Sequence, residues 1–219
     1  TGLVGSHLLM DLLKYETPIR AIYRSDKALK KVRKIFSFYN ISWEQSLHKI
    51  EWIKSDLLNI EVLNDAFKNI EYVYHCAAMV SFNKADKTKL FKVNVEGTAN
   101  VVNLSLICGV KKFCHVSSTS TIGKSKKDEI RDEDCIWEND GSFSNYSISK
   151  YFSEMEVWRG SEEGLNVVII NPSIIIGPGD WMQSSSNLFL KVWSGLRDYS
   201  NGMNAFVDVR DVLKAMIEL

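Results

Sequence analysis

An α/β fold, a doubly wound parallel sheet with helices on both faces, is predicted by two features of the 219-residue sequence. Short β-branched runs alternate with helix-spaced segments from one end of the chain to the other. Those runs are apolar nearly throughout rather than at every second position, as strands buried on both faces are.

Residues 8–15 have helical spacing, and residues 19–23 form the first strand. Residues 27–38 are basic and continue as a helix whose lysines are read as a solvated face. Strands are expected at 50–55, 72–76, 112–117 and 167–171, with helices at 60–67, 93–108 and 146–159 between them. Pro18, Pro172 and Pro178 fall at edges of these elements, where a missing N–H does little harm. Beyond Asn171 the alternation becomes irregular. Pro178, Gly179 and the serines at 184–186 mark loops, residues 187–196 read as a helix, and a short strand at 205–209 leads into a last helix.

Lys+Arg and Asp+Glu both number 27, so the net charge is zero and nothing favours nucleic acid or an anionic membrane as partner. No apolar run approaches the length that spans a bilayer, and no signal peptide is visible. Cys76, Cys108, Cys114 and Cys135 form no CxxC pair and no ligand cluster with the four histidines. They read as idle thiols in a reducing compartment, and the cytoplasm is the expected location.

The opening run Thr1-Gly2-Leu3-Val4-Gly5-Ser6-His7 has the form of the second half of a glycine-rich nucleotide loop entering a helix. Two glycines three apart let the backbone approach a pyrophosphate, and the helix N-terminus presents free N–H groups to it. A complete fingerprint follows a strand and carries one more glycine. Residues ahead of Thr1 are expected to supply both.

The strongest chemical signal is Tyr146-Ser147-Ile148-Ser149-Lys150, one helix after the turn His115-Val116-Ser117-Ser118-Thr119. Tyr and Lys at i and i+4 share a helix face. An ammonium beside a phenol is expected to lower its pKa from about 10, so that the Tyr exchanges a proton with a carbinol oxygen near neutral pH. A nearby serine hydroxyl steadies charge on the same oxygen. A second match, Tyr23 to Lys27, lies at a strand end without a serine turn and is read as accidental.

The phosphate loop, the Ser-Ser turn and the Tyr/Lys helix together resemble the extended short-chain dehydrogenases/reductases, over essentially the whole chain. The segment Phe206-Val207-Asp208-Val209-Arg210-Asp211-Val212 is most similar to the dihydroflavonol-reductase-like and 3β-hydroxysteroid-dehydrogenase-like branches. The resemblance implies a Rossmann NAD(P)-binding domain at 1–178, lacking its first strand, and part of a small substrate-binding region at 179–219. It implies Tyr146 as acid/base, Lys150 as its partner on the nicotinamide ribose, Ser118 against the substrate oxygen and Asn94 as a support. For the cofactor it implies Gly2, Leu3, Val4 and Gly5 at the pyrophosphate and Asp56-Leu57 bracketing the adenine, with a helix N-cap as the plain alternative for Asp56. Cys76-Ala77-Ala78 would lie against the cofactor, Ser117 would contact it, and Pro172 to Ile175 would pass under the nicotinamide ring. Members commonly dimerise through the helices at 90–108 and 146–159.

Arg24, ending the second strand of such a fold, suits a 2′-phosphate, and Lys31 lies one or two turns into the next helix; NADP is expected, with NAD the alternative. Asp26 is the one competing acid. The expected reaction is reduction of a small aldehyde or ketone. The alternatives are a sugar-nucleotide epimerase or dehydratase, poorly supported because the region 184–201 offers only Lys191 and Arg197, and a non-catalytic dinucleotide-binding protein. Trp181, Met182, Phe189, Trp193 and Tyr199 read mainly as buried core, with an aromatic substrate pocket as the alternative.

Overall fold

All the strands expected from the apolar runs are present in the computed structural model, which describes residues 1–123, 132–138, 140–182, 185–195 and 203–219. Ile19–Tyr23 is β1. Ile50–Lys54 (β2), Tyr72–His75 (β3), Lys112–Val116 (β4) and Val167–Ile170 (β5) each stop one residue before the expected end. Ser55 and Ser117 still donate their N–H to the neighbouring strand, to Tyr23 O at 3.0 Å and Ile170 O at 2.7 Å, but the chain turns away there. Two further strands are Ile174–Ile176 (β6), which the sequence reading left unassigned, and Phe206–Asp208 (β7). Every pairing is parallel: β1 with β2, β3 with β4, β4 with β5, and β6 with β7. With helices between the strands this is a Rossmann-like fold.

The chain forms two compact units, Thr1–Asp56 with Ser173–Leu219, and Leu57–Pro172. In the first, Ile19 and Ala21 of β1 and Ile50 of β2 pack with Leu9, Met10, Val32, Ile35 and Phe36. The helix Leu3–Leu12 (α1) supplies Leu9 and Met10. It begins five residues earlier than expected, because Gly2 takes an extended N-cap conformation and Leu3 opens the first turn directly. Asp26–Phe38 (α2) buries Val32, Ile35 and Phe36 and turns its lysines outward, as an amphipathic surface helix does. The five-residue helix Trp43–Leu47 (α3), capped by the Ser42 hydroxyl on Gln45 N, is too short to show a period. Ser186–Trp193 (α8) belongs to this unit, as does Val209–Glu218 (α9), which buries Val209, Val212, Leu213 and Met216 at helical spacing.

Four of the five residues expected mainly as core beyond Asp180 are exposed instead: Trp181, Met182, Phe189 and, at 90%, Trp193. Trp181 and Phe189 meet edge to face at 6.3 Å. Tyr199 and Arg197 lie outside the described residues.

In the second unit the sheet β3-β4-β5 is accompanied by Ile60–Ala66 (α4), Lys87–Phe91 (α5), Gly97–Ile107 (α6) and Asn145–Glu162 (α7). Asn59, not Asp56, caps α4, its side chain accepting from Val62 N at 3.3 Å. The expected helix 93–108 is interrupted by a π-helical turn, Lys92–Glu96, between α5 and α6. Both long helices end on a left-handed glycine, Gly109 (φ 66°) and Gly164 (φ 101°), conformations that other residues adopt at a cost. A Cβ on Gly160 would stand 2.5 Å from Val102 Cγ1, so α6 and α7 approach closely there. Among the described residues no helix is long and apolar enough to cross a membrane, and no group of metal-ligating side chains gathers.

Candidate active site

β4 ends at Val116, and Ser117 and Ser118 lead into a single 3₁₀ turn at Thr119–Thr121. The Ser118 hydroxyl accepts from Ser120 N at 3.2 Å, which turns the chain and fixes the side chain. α7 starts at Asn145 because the Ser144 hydroxyl caps it, accepting from Ser147 N at 3.1 Å. Tyr146 therefore sits in the first turn and Lys150 one turn on. The Ser118 hydroxyl lies close enough to the Tyr146 phenol to draw its pKa down, and the tyrosine ring packs edge to face with Phe82 at 5.8 Å.

Burial pushes the Tyr146 phenol above its ordinary value, and the nearby Ser118 hydroxyl only partly offsets this. This corrects the expectation that Lys150 lowers it. Lys150 is 1% exposed; its Nζ donates to Val116 O at 2.9 Å and faces His115 Nε2 at 3.4 Å. No hydrogen bond joins it to the phenol among the described residues. Burial brings the ammonium down to about 8, against the opposing influence of Glu154 and Cys76.

Beneath Lys150 lie two buried histidines that the motif search gave no role. His75 and His115 are register partners on β3 and β4, their rings stacked at 5.3 Å. His75 Nε2 pairs with Thr98 Oγ1 at 2.9 Å, while His115 Nδ1 has no hydrogen-bond partner among the described residues. Burial first, and the Lys150 charge next, lower both: His75 to about 3 and His115 well below its ordinary value.

Asn94, in the π-helical turn, is 1% exposed and clamps the chain after β3. Its Oδ1 accepts from Met79 N at 2.7 Å, and its Nδ2 reaches Met79 O at 3.0 Å and Ser149 Oγ at 2.9 Å. The clamp holds the stretch Cys76-Ala77-Ala78, whose two alanines are exposed. Burial pushes the Cys76 thiol up to about 12, so it is chemically quiet. Leu57 O accepts from Asn100 Nδ2 at 2.9 Å, and the Leu57 side chain lies over Gly97.

Ser117 is engaged within the protein: its hydroxyl donates to Glu154 Oε2 at 2.5 Å. Pro172 O accepts from Thr119 N at 3.1 Å, joining the end of β5 to the serine turn. Glu154 was not singled out by the motif search, although its position one turn after Lys150 places it on the same helix face.

In the other unit, the first intrahelical bond of α1 runs from Ser6 N to Gly2 O, leaving the N–H groups of Leu3, Val4 and Gly5 outside the helical ladder. No acid lies in that first turn, so the end suits an anion. His7, buried, donates from Nδ1 to Leu3 O at 2.8 Å and accepts from Tyr39 Oη at 3.2 Å, which steadies the turn. Arg24, just past β1, is exposed and makes no ion pair among the described residues, and Asp26 is paired with Lys54 at 3.3 Å. Lys31 is half-buried and paired with Asp180 at 3.3 Å. Ile175, in β6, offers its carbonyl to the Ser185 hydroxyl. Tyr23 ends β1 and Lys27 lies in α2, so the second Tyr-x-x-x-Lys match shares no helix face.

Residues 1–219 match the model of the NAD dependent epimerase/dehydratase family. A putative dihydroflavonol 4-reductase from Synechocystis sp. is 28% identical over 215 residues, 97% of this chain and 58% of that protein. Cinnamoyl-CoA reductase 1 of Petunia hybrida is 30% identical over 191 residues, 80% of this chain and 55% of that protein. The chain thus spans less than two thirds of these relatives. The terminal R domain of the myxalamid PKS-NRPS biosynthetic pathway has the same fold, with a TM-score of 0.83 at 23% identity over 99% of this chain and 59% of that one. Motif order, site geometry and the match over all 219 residues agree: the chain belongs to the NAD dependent epimerase/dehydratase family, within the extended short-chain dehydrogenases/reductases.

Proposed function

We propose that the protein is an NADP(H)-dependent oxidoreductase that reduces an aldehyde or ketone at a Ser-Tyr-Lys site. The observation that carries this reading is the placement of the Ser118 hydroxyl, on the turn after β4, beside the Tyr146 phenol in the first turn of α7. Two groups that must meet one carbonyl oxygen are already within reach of each other. A phenol whose pKa is raised stays protonated at neutral pH, the state that donates in the reductive direction. Ser118 would steady the oxygen, Tyr146 would protonate it, and Lys150 would hold a ribose hydroxyl and favour the departing phenolate's charge. NADPH, when bound, supplies the hydride. The named relatives, a dihydroflavonol 4-reductase and a cinnamoyl-CoA reductase, support reduction rather than epimerisation.

Each unit carries residues suited to such a cofactor. Leu3, Val4 and Gly5 would bind the pyrophosphate through their N–H groups beside Gly2, and Asp56 and Leu57 would flank the adenine. Cys76, Ala77 and Ala78 would lie along the cofactor, Asn94 would hold them in place, and Pro172 and Ile175 would line the nicotinamide side. Ser117 is proposed at the edge of this set, its hydroxyl already given to Glu154. Residues 1–178 would then be the cofactor-binding domain and 179–219 part of the substrate region. Arg24 would clamp the 2′-phosphate, since its competitor Asp26 is held by Lys54. Lys31 would join it only by sharing with Asp180.

The test is absorbance at the NADPH band with a panel of aldehydes, ketones and nucleotide sugars. Stoichiometric loss of the band with a carbonyl is expected, with NADPH preferred to NADH and the preference reduced or reversed by Arg24→Ala. Conversion at constant absorbance, with cofactor copurifying, would establish an epimerase or dehydratase. Tighter NADH binding by the unmodified protein would refute the role of Arg24.

A homodimer through α6 and α7 is proposed as well. Ile107, Phe152 and Trp158 on these helices stay exposed after their buried faces are satisfied. Light scattering at micromolar concentration should give twice the chain mass, and a strictly monomeric mass would exclude this assembly. The four cysteines are unpaired, which supports a reducing compartment such as the cytoplasm.

A further inference from the structure

We infer that Glu154 is the positioning residue of this site: its carboxylate fixes the turn at 117–121, and through it the Ser118 hydroxyl, against the Tyr146 phenol. The inference rests on the Ser118–Tyr146 reading above. Three donors from two other chain segments converge on one oxygen. Glu154 Oε2 lies 2.5 Å from Ser117 Oγ, 2.8 Å from Thr121 Oγ1 and 2.9 Å from Asn171 Nδ2, while Oε1 accepts from Trp158 Nε1 at 3.3 Å. Asn171 Nδ2 also reaches Thr121 Oγ1 at 2.9 Å and Ser118 O at 3.3 Å, and Thr121 Oγ1 lies 2.8 Å from Ser118 O. The serine turn is thus held on both sides of Ser118 by a group that belongs to the tyrosine helix.

These contacts close a ring. Tyr146 and Glu154 are eight residues apart on one rigid helix, Glu154 grips Ser117 and Thr121, and Ser118 between them returns to Tyr146. Ser117 cannot serve this purpose alone, because a serine hydroxyl has one proton and needs a fixed acceptor. An anionic oxygen is the one side-chain acceptor suited to three donors, and its bonds are the stronger for the charge. A glutamine would offer a single neutral carbonyl oxygen, with an N–H₂ group that finds donors where it needs acceptors. Geometry matters at this point, since a misplacement of about 1 Å in a reacting constellation costs on the order of 10²-fold in rate.

Glu154→Gln in the full chain is the test, with NADPH and p-nitrobenzaldehyde as probe. The expected result is a kcat about 10- to 100-fold lower, with NADPH affinity by fluorescence titration within about twofold of the parent. Faster amide exchange at residues 117–122 should accompany it. In a Ser118→Ala background the same substitution should cost nothing further, because the hydroxyl it positions is gone. Thr121→Val, which removes one donor and leaves the carboxylate, should shift kcat and exchange in the same direction. An undiminished kcat in Glu154→Gln, or losses that multiply in the double variant, would overturn the inference. If Ser118→Ala and Tyr146→Phe both leave turnover intact, or the probe is not reduced, the reading of the site itself has failed. The exchange at 117–122 then decides alone whether Glu154 holds the turn.

Discussion

Tyr146→Phe is expected to lower kcat by roughly 10²–10⁴-fold, the loss that follows removal of a positioned acid/base. The substitution deletes one oxygen and little else. The ring that packs against Phe82 is kept, and the Ser118 hydroxyl retains its bond from Ser120 N. NADPH affinity should therefore stay nearly unchanged, so the loss lies in turnover and not in cofactor loading. Stopped-flow single turnovers at saturating NADPH separate the two. Full turnover by the Phe variant would remove Tyr146 from the chemistry, and a matched loss of NADPH binding would make it a cofactor ligand only.

A steep loss of stability below pH 6.5 is the second large expected effect, and it originates in His75 and His115. Both are neutral in the folded protein because burial, reinforced by Lys150, depresses them. Unfolded, they titrate near the ordinary value of about 6.5. Below that pH the unfolded chain binds protons that the folded chain refuses, so stability falls with falling pH, for His75 down to about 3. Each group contributes at most about 1.4 kcal/mol per pH unit. Against the roughly 5–15 kcal/mol that holds a domain together, two such groups matter within a few pH units. Lys150 acts in a different window: folded near 8 and unfolded near 10.5, it makes stability rise with pH between those values. Urea midpoints measured from pH 7.5 to 5 should fall more steeply in the parent than in His115→Phe. The Phe variant loses the Nε2 contact with Lys150 but no Nδ1 hydrogen bond to any described residue. Equal slopes in the two proteins would show that the histidines do not govern acid unfolding.

The strands and long helices were legible because burial on both faces writes itself into composition, and a helix face into spacing. The proposed pairing of Tyr146 and Lys150 was legible because it needs only i and i+4 on one helix beside a Ser-Ser turn. Glu154 has the same spacing from Lys150, but a glutamate on a helix is common and only the three donors facing it give it meaning. His75 and His115 sit inside ordinary strand runs, where a buried imidazole looks like any other residue. The direction of the Tyr146 shift was misjudged for a related reason: sequence shows that a lysine is near, not that its ammonium turns to Val116 O while the phenol is buried. Trp181, Met182, Phe189 and Trp193 were misread because apolar composition reports a tendency to be covered, whereas exposure depends on what packs beside them.

The way α7 meets its neighbours bears on how the site moves. Where a helix lies on grease alone, it slides or rolls with little resistance. Here Ser149 is tied to Asn94 at 2.9 Å and Ser153 to Thr98 at 2.8 Å, both buried, and Lys150 to Val116 at 2.9 Å, part-buried, while Gly160 seats against Val102. Such contacts act as detents: a shift along the helix axis breaks all three bonds at once, and a buried polar group left without its partner is costly. The tyrosine and lysine therefore behave as fixed posts. Any adjustment at the site falls to backbone outside these ties, and the helix serves as its reference frame.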